Sequence, residues 1–284
     1  MKAKTPASRI VTQILLVAGS LVFLFPLLWM VGTSLKPIEE TMRTPPQWIP
    51  SHFLFSNYLD AVTYGSKALG YVPFLEYAKN TLLLCILGVV GTVFANALVA
   101  YGFARFRFPG RGVLFALTLA TMMIPFPVLM VPLFGLFRDL GWIGTFKPLW
   151  IPAWFGSAFN IFLLRQFFLT IPRDLTDAAI VDGCSEFAAF RHIILPLSKP
   201  ALAVVALFHF LFTWNDFLGP LIYLTDQKMF TLSLGLQFYQ SQHGGTEWNL
   251  LMAAATIVVL PVIVLFFFTQ RTFIQGIAIT GLKG

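Results

Sequence analysis

Side chains able to do chemistry are few in this sequence, and they are scattered. The soft ligands are four histidines, His52, His192, His209 and His243, and two cysteines, Cys85 and Cys184. No two histidines stand at the i, i+4 spacing that brings two imidazoles to one helix face. Two distant cysteines offer neither a metal framework nor a disulfide framework. Isolated packing or interfacial histidines are therefore expected, with no metal site. No Gly-x-x-x-x-Gly-Lys-Ser/Thr stretch is present to cradle a nucleoside phosphate, and no Ser/His/Asp set falls on one face, so no residue is assigned as catalytic. The one carboxylate well inside an apolar run is Asp216, flanked by Trp214 and Asn215. At bilayer depth such a group costs about 2.5–3.5 kcal/mol on insertion scales and must face protein or water.

The elements that position these groups follow from composition. Of 284 residues, 57% are hydrophobic and 11% charged, against roughly 25% charged in soluble domains, which excludes an ordinary water-soluble enzyme. Ile10 to Leu35 holds no ionisable residue and exceeds the roughly 20 residues that cross a hydrocarbon core. It also outruns the h-region of a cleaved signal peptide, about 7 to 15 residues, and reads as a retained anchor. Further runs, uncharged apart from Arg165 and Asp216, predict six spans in all, at about 10–35, 80–104, 112–137, 148–170, 200–225 and 248–270, within a single all-α transmembrane domain covering 1–284. Pro26, Pro125, Pro127, Pro132, Pro152, Pro220 and Pro261 lie inside them, and kinks are expected where neighbouring helices re-satisfy the freed backbone. Gly88, Gly91 and Ala95 suit a close helix contact, and Asn96 and Asn160 read as helix-packing groups.

Six is an even number, so both termini share a side. The short loop with Arg105, Arg107 and Arg111 carries no acid and marks the inner side by the positive-inside rule. Both termini are thus expected to be cytoplasmic. The net charge of +7 is explained by this topology and not by nucleic acid, since the aromatics are mostly Phe within apolar runs. From Lys36 to Lys79 a proline-rich outer crossing is expected, with Asn57 capping a short helix over Asn57 to Ala61.

The longest inner loop, 171–199, alternates acids and bases. Asp174 is placed to cap a helix with Asp177 at its third position, Gly183 to end it, Ser185 to cap a second helix, and Pro196 to precede the next span. Ile180, Cys184, Phe187, Phe190 and Ile194 recur every three to four residues, an apolar stripe on a water-facing segment with Asp177, Asp182, Glu186 and Arg191 around it. Such a stripe needs a partner. Its acids disfavour an anionic membrane surface.

Asp177-Ala178-Ala179, then Asp182-Gly183, then Ile194-Leu195-Pro196 resembles the EAA loop of permease subunits in bacterial ATP-binding-cassette importers, with Asp177 where that family has Glu. Trp214-Asn215-Asp216-Phe217-Leu218, Glu247-Trp248-Asn249 and the tail from Gln270-Arg271 to Gly281-Leu282-Lys283-Gly284 are similar to the carbohydrate-uptake branch, its maltose-type second permease. The resemblance implies a type I importer bundle with a cytoplasmic helix-turn-helix coupling loop. Its partners would be a second, non-identical permease, two ATPase subunits that use ATP and Mg, and an extracytoplasmic sugar-binding protein. This chain would bind no cofactor itself and would sit in the bacterial inner membrane.

By the same resemblance Asp177, Ala178, Ala179, Asp182, Gly183, Glu186, Phe187, Arg191, Leu195 and Pro196 would couple to an ATPase. Gly281, Lys283 and Gly284, in a cytoplasmic tail over 271–284, would reach towards it, and the loop from Asp226 to Glu247 would face the binding protein. Trp214, Asn215 and Asp216 would either line the translocation path or clasp a neighbouring helix. The solute would be a sugar or oligosaccharide, alternatively glycerol-phosphate or a polyol. A rival of another class, a stand-alone ion-coupled carrier, would need intramembrane titratable groups, for which Asp216 is the sole candidate.

Overall fold

The computed structural model describes the backbone of residues 6–240 and 245–281 and the side chains of 10–240 and 245–270. Among the described residues there is no strand, and the helices follow in chain order. They are α1 (Pro6–Ser34), α2 (Ile38–Thr41), α3 (Ser56–Thr63), α4 (Ser66–Leu69), α5 (Pro73–Arg105), α6 (Arg111–Ala120), α7 (Phe126–Asp139) and α8 (Lys147–Trp150). Then come α9 (Ala158–Thr170), α10 (Asp174–Val181), α11 (Glu186–Ala189), α12 (Leu195–Leu197), α13 (Lys199–Trp214), α14 (Leu218–Tyr223), α15 (Leu232–Gly235) and α16 (Trp248–Gly281).

Among the described residues three helices are long and apolar enough to cross a membrane in one piece: Ile10–Ser34, Pro73–Arg105 and Trp248–Gln270. The other apolar stretches are interrupted. Over 112–137 the chain bends by 98° between Met123 and Phe126, where Pro125 is extended (φ −71°, ψ 140°) and, as a proline, offers no amide to carry the helix across. The stretch 200–225 is helical as α13 and α14, with a break at Asn215-Asp216-Phe217. Within 148–170 the backbone tightens to a 3-10 turn over Ile151–Phe155 and restarts as α9 after Gly156.

The chain forms two compact units. One comprises Met1–Phe74 with Leu236–Pro261. There the most apolar stretch of α1 buries none of its residues, the signature of a helix whose solvent is lipid. Asn57 does not cap its helix. It lies one residue inside α3, buried, and its amide donates to the carbonyls of Ser34 and Lys36 at 2.9 Å each, closing the C-terminal end of α1, whose last carbonyls lack helical partners. Lys36 is buried with its ammonium 4.2 Å from the centre of the Trp29 ring; burial pulls its pKa down. Glu40 grips Ser51 through both the amide (3.1 Å) and the hydroxyl, and these bonds hold its carboxyl below the usual range. Tyr239 stacks on Tyr64 at 5.0 Å and donates to the Ala61 carbonyl at 2.6 Å.

The other unit comprises Leu75–Gly235 and Val262–Gly284. Its core gathers Ala97, Ala100, Tyr101 and Ala104 of α5 with Leu164 and Phe168 of α9, Phe190 and Ile194, and Ala201 and Val205 of α13. Small residues on α5 admit large neighbours: a Cβ on Gly91 would fall into the indole of Trp154, whose Nε1 donates to the Leu87 carbonyl at 3.1 Å.

Candidate coupling surface and the polar break

The segment 171–199 is attached to the bundle by identifiable bonds. At the end of α9, Nη2 of Arg105 donates to the carbonyls of Phe168 (3.0 Å) and Ile171 (2.8 Å). It thereby satisfies acceptors the helix leaves open and sets a cation at the negative end of its dipole. Arg165 answers from α9, its Nε donating to the Phe103 carbonyl at 3.3 Å and its guanidinium lying 4.3 Å from the centre of the Phe115 ring. The ends of α5 and α9 are thus tied in both directions.

Asp174 does not cap α10. Arg173 already has helical angles (φ −66°, ψ −33°), so Asp174 falls inside the first turn, and the amides of Thr176 and Asp177 bond to the Arg173 carbonyl at 2.9 Å each. Asp174 and Asp177 act there as acids in the first turn, favourable to the dipole. The other end matches expectation. Gly183 has φ +92°, its amide donates to the Ile180 carbonyl (3.0 Å), and that of Cys184 donates to Ala179 (2.9 Å), the paired bonds of a Schellman stop. Ser185 caps α11, accepting from the Ala188 amide at 3.2 Å.

A π-helical turn, Phe190–Ile194, follows and divides the apolar stripe. Phe190 and Ile194 are buried in the core just described. Transferring each from water contributes about 1.5–3 kcal/mol. Phe190 packs 4.8 Å from Tyr101, whose hydroxyl donates to the Glu186 carboxylate at 3.0 Å. Ile180, Cys184 and Phe187 are exposed, as are Leu175 and Val181, the last at 87%. Asp177, Ala178, Asp182 and Gly183 are exposed beside them, and Ala179 is half-buried. The result is an anchored base carrying an apolar, acid-rimmed knob. Arg191 and Pro196 are exposed and Leu195 half-buried on the flank that meets α5.

At the break after α13 the polar trio separates. Trp214 is buried and stacked on Phe210 at 5.2 Å. Asn215 is exposed, and its amide bonds back to the Leu211 carbonyl at 2.8 Å. Asp216 is half-buried, and Oδ1 accepts the Gly219 amide at 3.0 Å. One carboxylate oxygen therefore serves its own backbone at the start of α14. Gly219 lies close to its neighbours: a Cβ there would strike the Asp216 carboxylate and come to 3.0 Å from Leu149, so one of these side chains would have to shift.

Asn96 and Asn160 meet at the other interruption. Asn96 Oδ1 accepts the Ser157 amide at 2.7 Å, and Asn160 Nδ2 donates to the Ser157 hydroxyl at 2.9 Å, next to Gly156 at φ +85°. Tyr101 and Arg105 were not singled out as partners of the loop; their only signal was a Tyr and an Arg four residues apart at the inner end of a span. Also unforeseen is the fastening of 226–235, where Asn80 donates to the carbonyls of Lys228 (2.7 Å) and Phe230 (3.0 Å) and Thr81 Oγ1 accepts the Leu232 amide at 2.9 Å. Of the tail, Gly281 ends α16, while Lys283 and Gly284 lie outside the described residues.

The profile of the family described as "Binding-protein-dependent transport system inner membrane component" matches residues 88–279. The chain belongs to that family. Among curated relatives, this permease is 36% identical over 278 residues to the arabinooligosaccharides transport system permease protein AraQ of Bacillus subtilis, covering 97% of this chain and 96% of the relative. It is 32% identical over 281 residues to the sn-glycerol-3-phosphate transport system permease protein UgpE of Rhizobium meliloti, covering 99% of each. Its fold matches, with TM-score 0.81 and 23% identity over 95% of this permease and 99% of the other chain, the structure of a bacterial ABC transporter involved in the import of the acidic polysaccharide alginate. The permease is therefore an all-helical inner-membrane component of a binding-protein-dependent importer. The matched stretch contains both the anchored knob and the polar break.

Proposed function

We propose that the permease forms half of the pathway of an ATP-driven importer for a sugar or oligosaccharide. The observation that carries this is the knob, whose exposed apolar residues, Ile180, Val181 and Phe187, ride on a base held by Arg105, Tyr101, Phe190 and Ile194. A segment anchored this way moves as one piece with α5 and α9. In the proposed assembly it seats in a cytoplasmic ATPase subunit, one of two, while a second, non-identical permease completes the pathway and an extracytoplasmic binding protein delivers the solute. ATP binding favours one of two global arrangements and so shifts the bundle between inward and outward openings; only differential affinity does this. Both termini are cytoplasmic in this scheme, with the Arg105, Arg107 and Arg111 loop on the same side. Hydrolysis belongs to the ATPase, with its ATP and Mg, and not to this chain.

The relatives named for arabinooligosaccharides support the sugar reading. A second reading, import of glycerol-phosphate, is supported by the relative named for that solute. One experiment tests the coupling and another the solute. Asp182→Cys, in the importer assembled in its native membrane, should crosslink to the ATPase, and absence of any crosslink would refute the coupling role. Uptake of labelled arabinooligosaccharide and of glycerol-3-phosphate by cells lacking and regaining the permease then separates the two solutes.

A further inference from the structure

Beside the knob lies a groove of about 760 Å³. One wall is α5 from Val89 to Ala97, with Phe94 projecting; the other is built by Phe187, Leu195 and Leu202. Every lining side chain is apolar except Arg191 and Lys199. Both are exposed, and neither belongs to a salt bridge among the described residues.

We propose that this groove holds an anionic glycerophospholipid of the cytoplasmic leaflet, its acyl chain along α5 and its phosphate between Arg191 and Lys199. From Val89 to Ala97 the helix rises about 12 Å, comparable to one leaflet's half, about 15 Å, of the hydrocarbon core. The charge pattern selects the occupant. A partner's transmembrane helix would fill the apolar wall but would bring no negative charge of its own to the two cations, since acids are rare in such helices. A lipid brings the negative charge on its own headgroup, and basic pockets between helices on the cytoplasmic side suit such headgroups. Because Arg191 and Leu195 belong to the segment that carries the knob, a lipid seated here braces its base against α5. This inference rests on the cytoplasmic placement of 171–199 given above.

The test uses the importer purified with its partner subunits and reconstituted in phosphatidylcholine vesicles. These contain a minor fraction of either photoactivatable phosphatidylglycerol or photoactivatable phosphatidylcholine. At roughly fivefold per cation near an anionic surface, phosphatidylglycerol should label peptides containing Val89 to Ala97 on the order of 30-fold more strongly than phosphatidylcholine does. Arg191→Gln and Lys199→Gln should each remove about fivefold of that preference, and together abolish it. Equal labelling by the two lipids, labelling indifferent to both substitutions, or efficient crosslinking of a Val90→Cys variant to the second permease would overturn the proposal. The Asp182→Cys crosslink to the ATPase is scored in the same samples. Its persistence with no lipid preference removes the lipid site alone, whereas its loss removes the coupling reading and leaves the lipid labelling to decide the groove.

Discussion

Gly183 separates backbone strain from docking. Its φ of +92° puts any L side chain in a disfavoured conformation, yet a Cβ built there meets nothing within 4 Å. Alanine and tryptophan therefore carry the same backbone penalty, about 1–2 kcal/mol by the usual cost of a left-handed backbone, and the Cβ of each meets open space. Asparagine, which tolerates positive φ better, carries less. A role confined to ending α10 ranks the variants by strain, with Gly183→Asn mildest and Gly183→Ala and Gly183→Trp equal. A role in seating against an ATPase ranks them by size, with Asn and Ala near wild type and Trp severely impaired. The assay is solute-stimulated ATP hydrolysis by the reconstituted importer, with retention of the ATPase through purification measured alongside and insertion checked by the yield of the permease itself. The seating role predicts that Gly183→Trp loses ATPase retention or stimulation while Gly183→Ala keeps most of both. Equal transport by the Trp and Ala variants would refute it.

Arg105→Met removes the donor to the Phe168 and Ile171 carbonyls. Hydrogen bonds to charged groups are worth about 1.5–3 kcal/mol, so melting of the detergent-solubilised permease should fall measurably; an unchanged melting temperature would show that the tie is idle. Gly219→Ala forces Asp216 or Leu149 aside and should destabilise the permease, whereas Asp216→Asn, which keeps an acceptor for the Gly219 amide, should be tolerated in the same melt. Glu40 is held below its usual pKa by its bonds to Ser51, so its contribution is complete above the unfolded value and disappears as pH falls through the lowered folded one. Protection of the Ser51 amide from hydrogen exchange, corrected for intrinsic rate, should drop on acidification below about pH 4, and Glu40→Gln should flatten that dependence; a pH-independent wild type would contradict it. Cysteines replacing Arg107 and Lys228 report the orientation: an impermeant reagent outside intact cells should modify the second only, and the reverse pattern would invert the topology.

What the sequence made legible was set by one-dimensional signals. Absence of charge over Ile10–Ser34, Thr81–Ala104 and Trp248–Gln270 is enough to identify apolar rods, because no alternative fold of such stretches satisfies the backbone in lipid. The Schellman stop at Gly183 and the cap at Ser185 were legible because each uses residues within five positions. The interruptions were harder. Proline predicts a kink without saying how large, and the 98° bend at Pro125 exceeds what a kinked rod conveys. From the sequence Asp216 reads as lining the path or clasping a neighbouring helix, and the amide that Oδ1 accepts, three residues away, could not be foreseen because it is available only where α13 stops at Trp214. The ties from Asn80 to Lys228 and Phe230 join positions about 150 residues apart, for which a single sequence has no signal.

The apolar stripe shows the same limit. A spacing of three to four from Ile180 to Ile194 defines one face only if one continuous α-helix joins them. Here the count passes through the turn at Gly183 and enters the π-helical turn at Phe190–Ile194, where each turn takes up an additional residue and the phase slips. Ile180 and Phe187 consequently end on the exposed knob, and Phe190 and Ile194 inside the core. Under the proposed coupling role the segment needs both fates, since a knob with no buried half would have nothing to pull on, and a stripe wholly buried would leave a partner nothing to hold.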